Sequence, residues 1–365
     1  MPPESALRPD LPSAAAAGAA ATAFLLAAQS ADRSWRDFLL PAGESTLWVT
    51  AFVAGVLAGR QEPAPRRAAL SAWRMLAETP AAGGGWSYNA AVPGDADSTL
   101  WALRLAEALG EGRSDAAKAG GAFLQLCRRP DGGLATYPSD AAIRTYIGAP
   151  SAVPFHGWTQ PHVCVSAAGA NLAAARDAGP AYLLATQSQD GAWASYWWFD
   201  DAFATAEAVT ALVQVPGVID AGGRAAIARA VRWARDQAEA LLAGPASPRP
   251  PAFALALLVR VLARGGEAPE TRRILRAAVD RLVGWQAADG SFPPSARLRV
   301  PPPDCMTPAD GPAWRAWTGL PQGLASPAQM LAATFNIYSL DHRRLYTTAT
   351  VLRALDEAAE ALADA

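Results

Sequence analysis

In the stretch Val92 to Leu103, VPGDADSTLWAL, two carboxylates stand one residue apart and a hydroxyl follows them. Asp95, Asp97 and Ser98 have the types and spacing for general-acid chemistry. A lone aspartate at a helix start stays ionised, because the helix dipole favours its anion. A second carboxylate opposes that, since two like charges resist coexisting. The pair can share a proton in a dry pocket, and the neutral member can hand it to a substrate. The same residues also read as an ordinary helix start, an acid-Ser-Thr cap ahead of an apolar run. GESTLW, residues 43–48, has Glu44 in the corresponding place, so capping recurs where acid chemistry need not.

A cation formed on a protonated substrate is stabilised by aromatic faces without being trapped. The chain has 13 Trp. The segment WASYWWFDDAFAT (193–205) supplies Tyr196, Trp197, Trp198 and Phe199, and GWSYN (85–89) supplies Trp86 and Tyr88. Trp101 follows the acid pair, and Trp158, Trp314 and Trp317 fall in long loops. Of these, Trp86, Tyr88, Trp101, Trp158, Tyr196, Trp197, Trp198 and Phe199 are the candidates for a substrate-binding wall. Trp35, Trp86 and Trp193 read equally well as structural plugs. Tyr88, His162 or a water are candidates for the terminating base.

Metal chemistry has weaker support. Asp200-Asp201 begins a metal-binding acid cluster, but Ala204 and Thr205 stand where a third acid is needed. Asp304, Cys305 and His342 are zinc-ligand types. His162 and Cys164, two apart in an extended segment, face opposite ways.

What must position these residues is a repeat. ESTLWVTAFVAGVLAG (44–59) and DSTLWALRLAEALGEG (97–112) match, placing Thr46 against Thr99. Looser copies centre on Ser166, Thr205 and Thr348, and PPAFALALLVRVL (250–262) lacks the hydroxyl. A second signature precedes several of these helices: QSADRSW (29–35), QSQDGAW (187–193) and QAADGSF (286–292). Asp-Gly marks a turn, Gln bridges to a neighbouring repeat, and the aromatic plugs the joint. The Ser or Thr that follows is expected to cap its own helix. Six helical hairpins result, starting near residues 14, 67, 115, 178, 225 and 272. Such units stack because none buries its apolar face alone. The Pro-rich loops 149–161 and 293–314 suit lids or site walls, and β structure has little support.

Composition bounds the function. The chain has 365 residues, 51% of them hydrophobic, and a net charge of −2, without the basic footprint that nucleic acid requires. Three scattered cysteines fit a reduced, cytoplasmic protein rather than a disulfide framework. AAAAGAAATAFLLAA (14–28) has the apolarity of a signal-peptide core but a poor charged start, and fits the first repeat. No stretch reaches the ~18–20 apolar residues of a transmembrane helix.

At these motifs the chain resembles the terpene cyclase and protein prenyltransferase superfamily. The Q-x-x-D-G-x-W turns are similar to the QW repeats of squalene–hopene cyclases, and DADST is similar to the DxDD motif of class II terpene cyclases. The resemblance covers nearly the whole chain. It implies an all-α fold, an α/α toroid forming a single domain over residues 1–365, with residues 1–12 a flexible extension. It implies Asp97 as the general acid that protonates an alkene or epoxide, with Asp95 as the first acid of the motif. Ser98 departs from the third Asp of the motif, as in the DxDTT variants of drimane-forming cyclases, which leaves the substrate class open. The substrate is then an isoprenoid, a prenyl diphosphate or a neutral polyprene. No cofactor is required, and Mg2+ would serve only to escort a diphosphate. Since many class II cyclases place the cavity between two such barrels, a second subunit or a homo-oligomer is an open partner. Arg128, Arg129, Arg144, Arg343 and Arg344 flank loops as candidate anchors. Two other readings stay open: a zinc-dependent prenyltransferase-like subunit, and a non-catalytic isoprenoid-binding protein.

Overall fold

The computed structural model describes residues 13–172, 179–214, 221–245, 247–265, 268–308, 314–319, 329 and 333–363. The N-terminal extension 1–12 and residues 309–313 of the second Pro-rich loop lie outside these. The described chain is mostly helical. Six helices, α2 (Leu47–Ala58), α4 (Ala96–Leu109), α8 (Val163–Gly169), α10 (Asp201–Gln214), α12 (Ala252–Ala263) and α14 (Leu345–Ala363), are buried over most of their surface. Each touches the next in this order, and α14 touches α2, so the series closes. A helix that is apolar all round must be enclosed. The enclosing helices are α1 (Ala14–Ala27), α3 (Pro63–Ala77), α5 (Asp115–Cys127), α9 (Gly179–Thr186), α11 (Ala221–Ala243) and α13 (Pro269–Val283). Most carry one buried stripe; on α13 it is Ile274, Leu275, Ala278, Val279 and Leu282.

The repeated turn builds the joints. Trp35, Trp86 and Trp193 each donate their indole N–H to a carbonyl ten residues earlier, at Leu25, Leu76 and Leu183, over 2.7–2.8 Å. The glutamines reach across to the next outer helix: Gln29 to Ala68, Gln187 to Ala226, and Gln286 to Ala17. The last contact joins the sixth unit to the first. Gly290 closes that joint at φ +86°, where a Cβ would lie 2.3 Å from the Ala20 carbonyl oxygen. Gly290→Ala therefore meets both backbone strain and a clash. It should cost about 2–3 kcal/mol of stability, measured by urea denaturation.

The hydroxyls act differently from the sequence expectation. They do not cap their own helices. Each accepts the backbone N–H of the joint residue instead: Thr50 from Trp35, Thr99 from Trp86, Ser166 from Leu134, Thr205 from Trp193 and Thr348 from Phe292. The partner of Thr99 in the first unit is thus Thr50. The matching strings ESTLW and DSTLW are four residues out of structural register, because the joint and not the string sets the alignment.

Short strands occur where the sequence offered little sign of them. Strands β1 (Asp37–Leu40) and β2 (Gly43–Ser45) form a hairpin. Strands β3 (Arg297–Val300) and β5 (Ile337–Leu340) pair antiparallel, and β4 (Arg315–Ala316) joins β5 in parallel. Two short helices, α6 (Ala141–Ile147) and α7 (His156–Thr159), complete the described elements. Buried Asp37 and Asp341 tie these loops to α14 by accepting the N–H groups of Leu345 and Thr347.

Candidate active site

The acid pair opens α4. Asp95 is the N-cap, and its carboxylate accepts the Ser98 N–H at 2.7 Å and the Ser98 hydroxyl at 2.8 Å. Capping and chemistry thus divide between the two acids, since Asp97 in the first turn is left free of that duty. The joint hydroxyls give the register of the other units. Two residues before each hydroxyl stand Trp48, Asp97, Cys164, Phe203 and Tyr346, and Phe253 holds the place in the unit without a hydroxyl. One acid has replaced an aromatic in a set of equivalent positions. Four of the others pack with Phe38 and Trp198 into an aromatic plug, with Trp48 and Tyr346 ring centroids 5.0 Å apart and Trp198 and Tyr346 5.1 Å apart.

Asp95, Asp97 and Ser98 line a cavity of about 540 Å³. Tyr88, Tyr137, Trp158, Trp197 and Phe335 contribute aromatic surface to it, and half-exposed Tyr146 marks its open side. Polar edges pin the rings. Trp197 donates to the Thr136 hydroxyl at 2.7 Å, Trp158 to the Pro301 carbonyl at 3.1 Å, and Tyr88 to the Phe38 carbonyl at 3.0 Å. Fixed edges leave the faces to a ligand.

The electrostatics suit a proton donor. Burial, and then the neighbouring Asp95 charge, push the Asp97 carboxyl well above the usual carboxylate range. Burial raises Asp95 as well, to about 6, against the opposing bonds from Ser98. Of the pair, Asp97 holds its proton the more strongly. Activity should persist while Asp97 keeps its proton and fall as pH rises through its pKa. Asp95→Asn removes the repelling charge, so Asp97 loses its proton more easily. The alkaline limb of the kcat profile should move to lower pH in that variant; an unmoved limb would separate the two acids.

Other sequence candidates lie elsewhere. Trp86 is in a joint, fully buried. Trp101 sits one turn below Asp97 and does not line the cavity. Tyr196 stacks on His162 at 3.7 Å and donates to the Cys305 carbonyl. Trp198 belongs to the plug, and Phe199 packs against Trp314 and Tyr338. The run Tyr196 to Phe199 is extended, so successive side chains point to opposite sides, and of the four only Trp197 reaches the cavity. His162 is buried away from it, with burial lowering its pKa to about 3. His342 lies beside Asp37 and Glu44, Asp200 pairs with Arg297, and Asp201 accepts the Ser195 N–H. Among the described residues no group of three or more His, Cys, Asp or Glu could hold a metal ion. Arg129 binds backbone carbonyls, and Arg144, Arg343 and Arg344 pair with Asp140, Glu44 and Asp289. Among the described lining residues the cation is Arg299, which donates to the Tyr196 and Ser195 carbonyls. Sequence reading missed Arg299, Tyr137, Phe335 and Trp48. Only Trp48 had a signal, through the true register of the repeats.

A closed series of helices presenting a neutral carboxylic acid to an aromatic-walled cavity defines an acid-initiated carbocation enzyme. No family model and no curated protein matches the chain. Solved structures do. It is similar to type II terpene cyclase MstE from Scytonema, in a variant holding the substrate geranylgeranyl dihydroxybenzoate, at 33% identity over 95% of this chain and 98% of that one, TM-score 0.86. A protein from Actinoplanes is 37% identical over 95% of this chain and 100% of that one, TM-score 0.84. The ent-copalyl diphosphate synthase from Streptomyces platensis, 19% identical over 87% of this chain and 50% of that one with TM-score 0.52, shares the fold. The chain belongs to the type II terpene cyclases, enzymes that begin cyclisation by protonation. Among the described residues no helix is long and apolar enough to cross a membrane.

Proposed function

We propose that this cyclase folds a linear polyprene into the cavity of a single-domain α/α toroid and protonates its terminal alkene from Asp97. The closed contact series of the six inner helices and the Gln286–Ala17 joint support the toroid. The half-buried Asp97 carboxyl on the cavity wall carries the mechanism. The Asp97 O–H bond breaks, the alkene electrons form the new C–H bond, and a tertiary cation remains. Each following alkene attacks the cation before it. Tyr88, Tyr137, Trp158, Trp197 and Phe335 offer π-faces to that charge. Loss of a proton, or capture of water, ends the sequence. Asp95, held by Ser98, keeps Asp97 protonated in the resting state, so Ser98 positions the first acid instead of supplying a third.

MstE binds a geranylgeranyl chain on a dihydroxybenzoate. That favours a polyprene carried on an aromatic headgroup over a diphosphate, and the reaction then requires no Mg2+. Arg299 gives the cavity a cation for a carboxylate on such a head.

Incubation with geranylgeranyl dihydroxybenzoate, farnesyl and geranylgeranyl diphosphates and squalene tests the reading. A cyclised product is expected, and in D2O it should gain one deuterium at the carbon that receives the proton. A product formed without that deuterium, or no product from any of these, would overturn it.

A further inference from the structure

Two buried donors beside Asp97 lack a partner. The indole nitrogens of Trp48 and Trp101 are shielded from solvent, and neither makes a hydrogen bond of full geometry within the described residues. Buried polar groups are normally paired, so two orphans around one carboxyl call for a reason. Trp101 lies one helical turn along α4 from Asp97, on the same face. Trp48 is on α2, which packs against α4, at the position equivalent to Asp97 itself.

We propose that these two N–H groups form a waiting anion hole for the Asp97 carboxylate, left unmade in the resting acid and closed when the proton departs. The proposal rests on Asp97 being the acid. When the O–H bond breaks, its electron pair stays on the carboxylate, and both donors then find the acceptor they lack. Bonds realised only as charge develops lower the barrier, whereas bonds already made in the ground state do not. Both indoles stand where they favour the Asp97 anion, against burial and the Asp95 charge. The Arg104 guanidinium lies over the Trp101 ring, 4.5 Å from its centroid. A cation there draws electron density from the indole and strengthens its N–H as a donor. The other ionisable groups felt at this point are Asp95 on α4, Glu207 on α10, Cys164 on α8 and Tyr346 on α14. Of the groups that act most strongly on Asp97, Asp95 and Glu207 oppose its anion and the two indoles favour it.

The test replaces N–H by sulfur without changing shape: Trp48→3-benzothienylalanine and Trp101→3-benzothienylalanine, each compared with Asp97→Asn. Geranylgeranyl dihydroxybenzoate is the probe. Each sulfur variant should lose about 10²-fold in kcat, with KM and the thermal midpoint unchanged. In the substrate-free enzyme, the Asp97 ionisation followed by infrared difference against Asp97→Asn should move to higher pH, the acid being about tenfold weaker per N–H removed. Sulfur variants with wild-type kcat and unshifted ionisation, beside an inactive Asp97→Asn, would overturn the anion hole and leave the acid in place. An active Asp97→Asn would remove both.

Discussion

Asp97→Asn is expected to lower turnover by about 10⁴-fold, the upper range for a general acid, while the protein still folds. The amide matches the carboxylic acid in size and is neutral, as the Asp97 side chain is in the resting site. It accepts the same hydrogen bonds, but its N–H is far too weak an acid to protonate an alkene. Substrate binding should survive, because the cavity wall is made by Tyr88, Tyr137, Trp158, Trp197 and Phe335 and not by this group. Stability should hold or rise, since the Asn cannot ionise beside Asp95. Product analysis with a thermal melt separates the outcomes. More than a tenth of wild-type turnover in the variant would mean that the proton comes from elsewhere.

Glu207→Leu should cost about 3–5 kcal/mol in stability, the range for breaking a buried ion pair. The buried Glu207 carboxylate projects from α10 and meets Arg260 at 2.7 Å, Arg104 at 2.8 Å and Arg353 at 3.3 Å. Those three side chains come from α12, α4 and α14. Glu357 adds a second acid, 3.0 Å from Arg353 and 3.4 Å from Arg260. Although burial opposes it, these guanidinium groups hold Glu207 well below the usual carboxylate range. A depressed pKa means that the stabilisation is present above the ordinary glutamate pKa and disappears as pH falls through the folded value. The wild type should therefore lose stability in acid, and Glu207→Leu should lack that part of the pH dependence. Leaving buried Arg260 and half-buried Arg104 and Arg353 short of an anion consumes much of the 5–15 kcal/mol typical of a whole protein. Glu207→Gln should be nearly as damaging, because charge and not shape is lost. Urea denaturation across pH distinguishes this from a packing effect, which would have no pH dependence.

The joints were legible because they are local. Trp35 and Leu25, Trp86 and Leu76, and Trp193 and Leu183 stand ten residues apart, so one helix end and one turn bring them together. The turn motif could be read as a connector because its glutamines recur at a fixed distance from the aromatic. Register was less legible. ESTLW and DSTLW align as strings, yet Thr50 and not Thr46 answers Thr99. The consequence reaches the site, because correct register places Trp48 opposite Asp97.

By itself the sequence determined the repeating hairpin, its joint chemistry and the acid pair, all of which rest on contacts within about a dozen residues. Only the tertiary structure decided which aromatics face the cavity, that Trp198 fills the plug while Trp197 lines the wall, and that Arg299 enters the site. It also brought the indole of Trp48, on α2, to the Asp97 carboxyl. The physical reason is that burial raises the Asp97 pKa, and burial is supplied by residues from 40 to 335, which no local pattern can bring together.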